Sequence, residues 1–276
     1  MDLHVVLPDE SAAMPVSQLV ELSQEAESLG FAGVWLPDHL LPPAEYGPSY
    51  GGVYEPLMTL AHLAAVTTRV TLGTSVLVLP LRDPLLVAKQ AATLAHLSDG
   101  RFVLGAGAGW EPYEFAAANS DFTDRGSRTT AALRLIRHLH THGGGPYRDE
   151  HHSFDERAVF RPVPERPVPF LIGGNSDAAL RRAARIGDMW QAVHLPPEEF
   201  AVRRDRLREL AGDRVSAGAR DSWTDDGQPV EEVARRVHAW ELAGAEHLGL
   251  FFGPAEGFGR RLRALAARVP GLLTHD

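Results

Sequence analysis

Short apolar segments alternate with longer segments of helical period along the whole chain. This alternation is the feature that most narrows the fold, because it is what a parallel sheet covered by helices requires. Eight segments read as strands: residues 2–7, 33–37, 70–79, 102–106, 168–172, 188–193, 214–217 and 247–252, the seventh with the weakest pattern. Runs such as Val76-Leu77-Val78-Leu79 and Phe170-Leu171-Ile172 show no polar alternation, as expected where both faces of a strand are covered. Between the strands, Val16, Leu19, Leu22, Ala26 and Leu29 recur at steps of three and four, with Pro15 at the start and Gly30 just past the end. Residues 84–97 and 128–140 repeat that face, and 177–186, 197–210, 229–243 and 257–268 read as further helices. Eight strand–helix pairs predict a (β/α)8 barrel occupying residues 1–276 as one domain, with an open doubly wound sheet as the rival. No Pro/Ser-rich linker divides the chain, and the breaker-rich stretch from 143 to 169 reads as one excursion between the fourth helix and the fifth strand.

Composition removes several function classes. The chain carries 27 basic and 36 acidic residues, a net charge of −9, so its field repels nucleic acid. Cysteine is absent, which excludes disulfides, thiolate nucleophiles and cysteine metal sites. Lys89 is the only lysine, so a Schiff-base aldolase or pyridoxal enzyme would rest on that residue alone. No Gly-x-Ser-x-Gly elbow is present. No apolar run approaches the roughly 18 residues of a membrane span, and the N-terminal segment reads as a strand, so a cytoplasmic protein without membrane contact is expected.

In a barrel the loops after the strand carboxyl ends form the active face. After the second strand stand Asp38 and His39, an acceptor beside a titratable imidazole, which suits proton transfer or a loop hydrogen-bond pair. The loop after the fourth strand runs Gly105-Ala106-Gly107-Ala108-Gly109-Trp110. It misses the dinucleotide pattern because Trp110 takes the last glycine position, and it would let a flat ring lie against the backbone or form a flexible turn. Gly173, Gly174, Asn175 and Ser176 open onto a helix near Asp177, where amides could hold a phosphate or Ser176 and Asn175 could serve as a plain cap. His138, His140 and His142 read as solvated helix histidines and His151-His152 as surface loop, so no metal is predicted. Glu111 and Glu114 read as solvated carboxylates at a helix start, with a catalytic acid as the alternative. Glycine-rich mouth loops, one anion site and few acid–base groups suit a barrel that holds a reactive cofactor.

The segments 29–39 (LGFAGVWLPDH), 72–76 (LGTSV), 101–110 (RFVLGAGAGW), 170–176 (FLIGGNS) and 187–190 (GDMW) together resemble the bacterial luciferase-like monooxygenase family over about residues 1–195, and only the general pattern continues beyond Pro196. The resemblance implies a barrel that binds coenzyme F420, a deazaflavin, or FMN in its mouth. It implies a non-proline cis peptide at Ser75-Val76 within Thr74, Ser75 and Val76, and contacts from Asp38, Gly107, Gly109 and the 173–176 loop. Members using the deazaflavin are similar at Asp38-His39 and at residues 73–76, whereas the sugar-phosphate dehydrogenase branch has an acidic residue where this chain has Trp110. The expected activity is hydride transfer between F420 and a small organic substrate, with His39 moving the proton and Asp38 orienting it or touching the ring. The alternatives are an FMN monooxygenase using dioxygen, a non-catalytic flavin-binding barrel, and a phosphate-binding isomerase or aldolase. A homodimer is expected by resemblance.

Overall fold

The computed structural model describes residues 1–8, 14–50, 52–223 and 227–273. Eight parallel strands form one closed sheet: β1 (Asp2–Val6), β2 (Gly33–Leu36), β3 (Thr71–Thr74), β4 (Phe102–Gly107), β5 (Phe170–Gly173), β6 (Met189–Val193), β7 (Ser216–Ser222) and β8 (His247–Phe251). The ring closes where β1 pairs with β8, Asp2 opposite His247, and where β3 pairs with β4, Leu72 opposite Phe102. Each strand is followed by a helix: α1 (Val16–Ser28), α2 (Pro56–Ala64), α3 (Pro84–Leu97), α4 (Arg125–His142), α5 (Asp177–Ile186), α6 (Pro197–Ala211), α7 (Val230–Leu242) and α8 (Phe258–Ala266). The expected (β/α)8 barrel is therefore the fold, and among the described residues no helix is long and apolar enough to cross a membrane.

The main core lies between sheet and helices, where residues such as Leu19, Leu72, Leu104, Ile136 and Leu262 are fully buried. Each such side chain stabilises the fold by about 1.5–3 kcal/mol relative to exposure. A second, smaller cluster fills the barrel itself with Val6, Trp35, Val103 and Leu171. Below it His4 stacks on Trp35 with ring centroids 4.6 Å apart. Glycines make room for these rings: a Cβ on Gly73 would lie 3.0 Å from the Trp35 indole, and one on Gly218 would lie 2.2 Å from His247 Nδ1.

The structure departs from the sequence reading in places that have physical causes. The seventh strand runs Ser216–Ser222 rather than 214–217. Its inner face carries Gly218 and Arg220 in place of aliphatic residues, so the hydrophobic pattern that marks the other strands is missing there. Helix α2, which the sequence reading did not delimit, starts on Glu55, whose side chain accepts from the Met58 amide, with Pro56 in the first helical position. The third strand candidate breaks at Ser75-Val76, which is a cis peptide, and resumes as the short strand Leu77–Val78 beside β4. Helix α4 ends at Gly143 in the left-handed region (φ +69), and the following excursion folds as a two-stranded hairpin, Tyr147–Arg148 against Ser153–Phe154.

Two of the α4 histidines are not solvated. His140 is buried, its Nε2 bonded to the Ala88 carbonyl at 2.9 Å, and burial lowers its pKa. His138 Nε2 holds the Gly144 carbonyl at 2.6 Å, so these side chains tie α4 to α3 and to the excursion. Lys89 likewise serves packing: its ammonium sits on the Arg161 carbonyl and 4.2 Å from the Phe160 ring centroid. His151 and His152 stay in the surface loop, pairing with Glu150 and Asp149.

Candidate active site

The loop after β2 brings His39 to the barrel mouth and places it against a carboxylate 75 residues away in sequence. His39 Nδ1 donates to Glu114 Oε2 at 2.8 Å. Glu114 Oε1 accepts from the amides of Leu40 at 2.8 Å and Leu41 at 3.0 Å, so one carboxylate holds both the imidazole and its loop. The side chains are 9% and 2% exposed, respectively, so the pair is shielded from water. Burial works to raise the Glu114 pKa, but the hydrogen bonds from His39 and from the Leu41 and Leu40 amides outweigh it and hold the group below its ordinary value. An ionised carboxylate only accepts, so the imidazole donates to it from Nδ1, and in the neutral form of the ring Nε2 is the proton acceptor.

Glu114 is thus buried and paired, a correction to its reading as a solvated helix-start carboxylate; it lies one turn into the short helix Pro112–Ala117. Glu111 does cap that helix, accepting from the Tyr113 amide. Asp38 does not orient His39. Its Oδ2 accepts from the Val78 amide at 2.8 Å and its Oδ1 from Arg82 Nη2 at 2.7 Å, while Arg82 Nη1 reaches Glu55 at 2.8 Å. Burial pulls the Arg82 pKa down, yet Asp38 and Glu55 raise it further, so the guanidinium stays charged. Through Asp38 the His39 loop is bonded to the segment just beyond Val76, which puts both on one rim.

Around Val76 two glycines let neighbouring strands come close. A Cβ on Gly107 would come 2.6 Å from Val76 Cγ2, and one on Gly173 would come 2.9 Å from Val76 Cγ1. Only glycine at both positions lets the Val76 side chain lie across the barrel. Its backbone is fixed from below, since Ser75 Oγ donates to Gln191 Oε1 at 2.6 Å and Arg220 Nη1 donates to the Ser75 carbonyl at 2.7 Å. Gln191 Nε2 is buried without a partner among the described residues. Beside this floor Gly174 turns with φ +116 into helix α5. An apolar floor next to a helix start fits a tricyclic ring with an anionic tail.

Other predicted contacts are engaged within the protein. Thr74 Oγ1 donates to the Gly105 carbonyl at 2.6 Å. Gly109, at φ +77, is required because a Cβ would meet Val78 and the Phe115 ring at 2.7 and 2.8 Å. Asn175 gives both ends of its carboxamide to Val193, Nδ2 to the carbonyl at 2.6 Å and Oδ1 from the amide at 3.1 Å. Ser176 caps α5 through the Ala179 amide at 3.2 Å. What the 173–176 loop can offer an anion is therefore its backbone, apart from the Gly174 amide, which donates to the Gln191 carbonyl at 3.2 Å.

The model of the luciferase-like monooxygenase family matches residues 1–267. The chain belongs to that family. An uncharacterised protein of Mycobacterium tuberculosis is 35% identical over 230 residues, 75% of this chain and 78% of its own length. An F420-dependent glucose-6-phosphate dehydrogenase of Nakamurella multipartita is 35% identical over 220 residues, 79% of this chain and 61% of its own length. Among solved structures, a monooxygenase from Streptomyces bottropensis superposes with a TM-score of 0.83 at 22% identity, covering 98% of this chain and 99% of that one. In this luciferase-like barrel Val76 lies against Gly107 and Gly173, and Asp38 bonds the His39 loop to the Val78 amide just beyond it. Sequence reasoning missed Glu114 as the partner of His39, Gln191 and Arg220 as supports of Ser75, and the rings of Tyr46 and Tyr50. The segment between His39 and Glu55 is rich in Pro and Gly and has no periodicity to read.

Proposed function

We propose that this chain is an oxidoreductase that uses coenzyme F420 to move a hydride to or from a small organic substrate. The observation that carries the reading is the His39–Glu114 pair at the rim beside Val76. Hydride transfer to or from a carbon bearing oxygen must be matched by one proton at that oxygen, and a neutral imidazole with Nε2 open supplies that. Glu114 keeps the ring in the tautomer that leaves Nε2 available, and its bonds to the Leu40 and Leu41 amides keep the ring from swinging away. Val76 with Gly107 and Gly173 would hold the face of the deazaflavin, and the backbone of residues 173–176 its phosphate. The deazaflavin, when bound, supplies the hydride chemistry. Asp38, neutralised by Arg82, acts by holding the His39 loop against the Val76 segment.

Titration of the purified protein with F420 and separately with FMN, each followed by coenzyme fluorescence, tests the assignment. Saturable F420 binding with none for FMN is the expected result. The reverse selects the FMN monooxygenase, and retained F420 without turnover on any carbinol or carbonyl selects a non-catalytic binder.

A further inference from the structure

The mouth has an aromatic side that the cofactor reading leaves unexplained. The His39 imidazole lies face to face with Tyr50, centroids 4.4 Å apart, and meets the edge of Trp110 at 5.8 Å. Trp110 in turn makes an edge contact with Tyr46 at 4.9 Å. Three rings from two loops thus gather around the one open proton acceptor of the site. The face they form is not sealed: Trp110 is 48% exposed, and Leu40 and Leu41 beside it are 46% and 57% exposed. Apolar surface left exposed at the active end of a barrel marks a ligand face rather than core.

Its electrostatics narrow the ligand. Glu114 is paired with His39, and Asp38 and Glu55 share Arg82. Arg220 points below the rim to the Ser75 carbonyl. The carboxylates Glu114, Asp38 and Glu55 outnumber the one guanidinium, Arg82, beside a neutral imidazole, so an anionic group placed among the rings would lose its water without gaining a cation. Resting on the deazaflavin reading above, the geometry points to an uncharged substrate with a flat apolar body, an aryl carbinol or aryl ketone, packed on Trp110 and Tyr46 with its oxygen at His39 Nε2.

In the oxidative direction the carbinol carbon would give up its hydrogen as a hydride, which the oxidised deazaflavin would accept when bound. The O–H bond breaks with its proton going to His39 Nε2, and the C=O bond of the ketone forms. Two electrons and two hydrogens leave the carbinol, so the step balances with no further reactant.

Trp110 makes the test direct. Trp35, Trp190, Trp223 and Trp240 are 0%, 0%, 4% and 2% exposed, so ligand-dependent quenching of the intrinsic fluorescence reports on Trp110. The full chain, without cofactor, is titrated with 1-phenylethanol and with phenyl phosphate, which share a ring and differ in charge. Saturable quenching by 1-phenylethanol, with phenyl phosphate at least tenfold weaker, is expected. Tyr46→Ala should weaken the alcohol roughly three- to tenfold, the size of a lost ring contact, while Trp110→Phe should abolish the signal and keep calorimetric binding within about threefold. Equal or tighter binding of phenyl phosphate, no saturable binding of the alcohol, or an unchanged Tyr46→Ala affinity overturns the inference. F420 affinity measured on the same samples separates the two readings. F420 binding without alcohol binding removes the aryl substrate alone, and alcohol binding without F420 binding removes the deazaflavin alone.

Discussion

Replacing Glu114 by Gln changes one atom of the dyad and should cost most of the catalysis. Oε1 of the glutamine can still accept from the Leu40 and Leu41 amides, now 2.8 and 3.0 Å from Glu114 Oε1, so the loop stays in place. The NH2 that replaces Oε2 can only donate, and it would face His39 Nδ1, which sits 2.8 Å from Oε2. The imidazole proton must then move to Nε2, where an acceptor is needed. General acid–base catalysis contributes about 10²- to 10⁴-fold, so turnover should fall by that range, about 3–5 kcal/mol of barrel-mouth transition-state stabilisation. Stability should fall by only about 1–2 kcal/mol, because the bonds to His39 and to the Leu40 and Leu41 amides are kept but lose their charge assistance. Turnover is followed as reduction of oxidised F420 with 1-phenylethanol, and the tautomer as the ¹⁵N shifts of His39 by long-range NMR. A Glu114→Gln protein that keeps the Nδ1-protonated tautomer, or that turns over within twofold of the parent, refutes the reasoning.

Three further outcomes are expected. Burial holds His247 down to about 4 although backbone groups at Ser216 and Trp190 pull it up, whereas the unfolded side chain titrates near 6.5. The unfolded chain therefore binds the extra proton first as pH falls, and urea-measured stability should drop by about 1.4 kcal/mol per pH unit below 6.5, about 3 kcal/mol in all by pH 4; a flat profile from 6.5 to 4.5 contradicts this. Gly218→Ala would put a Cβ 2.2 Å from both Nδ1 and the carbonyl oxygen of His247, and should lose about 3 kcal/mol or fail to fold. Gly271→Ala, with nothing within 4 Å, should stay within about 0.5 kcal/mol of the parent, and equal stability of the two variants would show that the barrel yields. Gly174→Val forces a branched side chain onto φ +116, so it should lower stability by about 1–3 kcal/mol and weaken F420 binding by the folded protein at least about tenfold; unchanged affinity would return that loop to plain capping.

The architecture was legible in the sequence because seven of the strands announce themselves by burial on both faces, as Phe170, Leu171 and Ile172 do. Strand β7 was displaced in the reading because Gly218 and Arg220 serve the barrel interior, where ring packing and support of Ser75 replace aliphatic filling. His39 and the glycines were read from their places at strand ends, and Val76 from the family resemblance. Their partners were not: Glu114 looks like any acidic residue in a first helical turn until the fold sets it against His39, and nothing local distinguishes Asp38, held by Arg82, from a ligand. Hydrogen-bond pairing across 75 residues is a property of topology, which single-segment patterns do not carry.

The Asn175 clamp also bears on how the protein ages. Its carboxamide imitates a peptide group, giving a donor to the Val193 carbonyl and an acceptor to the Val193 amide. Asparagine followed by serine is a sequence prone to spontaneous hydrolysis of the amide, and the resulting acid would set an oxygen against the Val193 carbonyl oxygen. One slow chemical event, invisible in a mass-based purity check except as a single dalton, would thus unfasten the turn between β5 and α5.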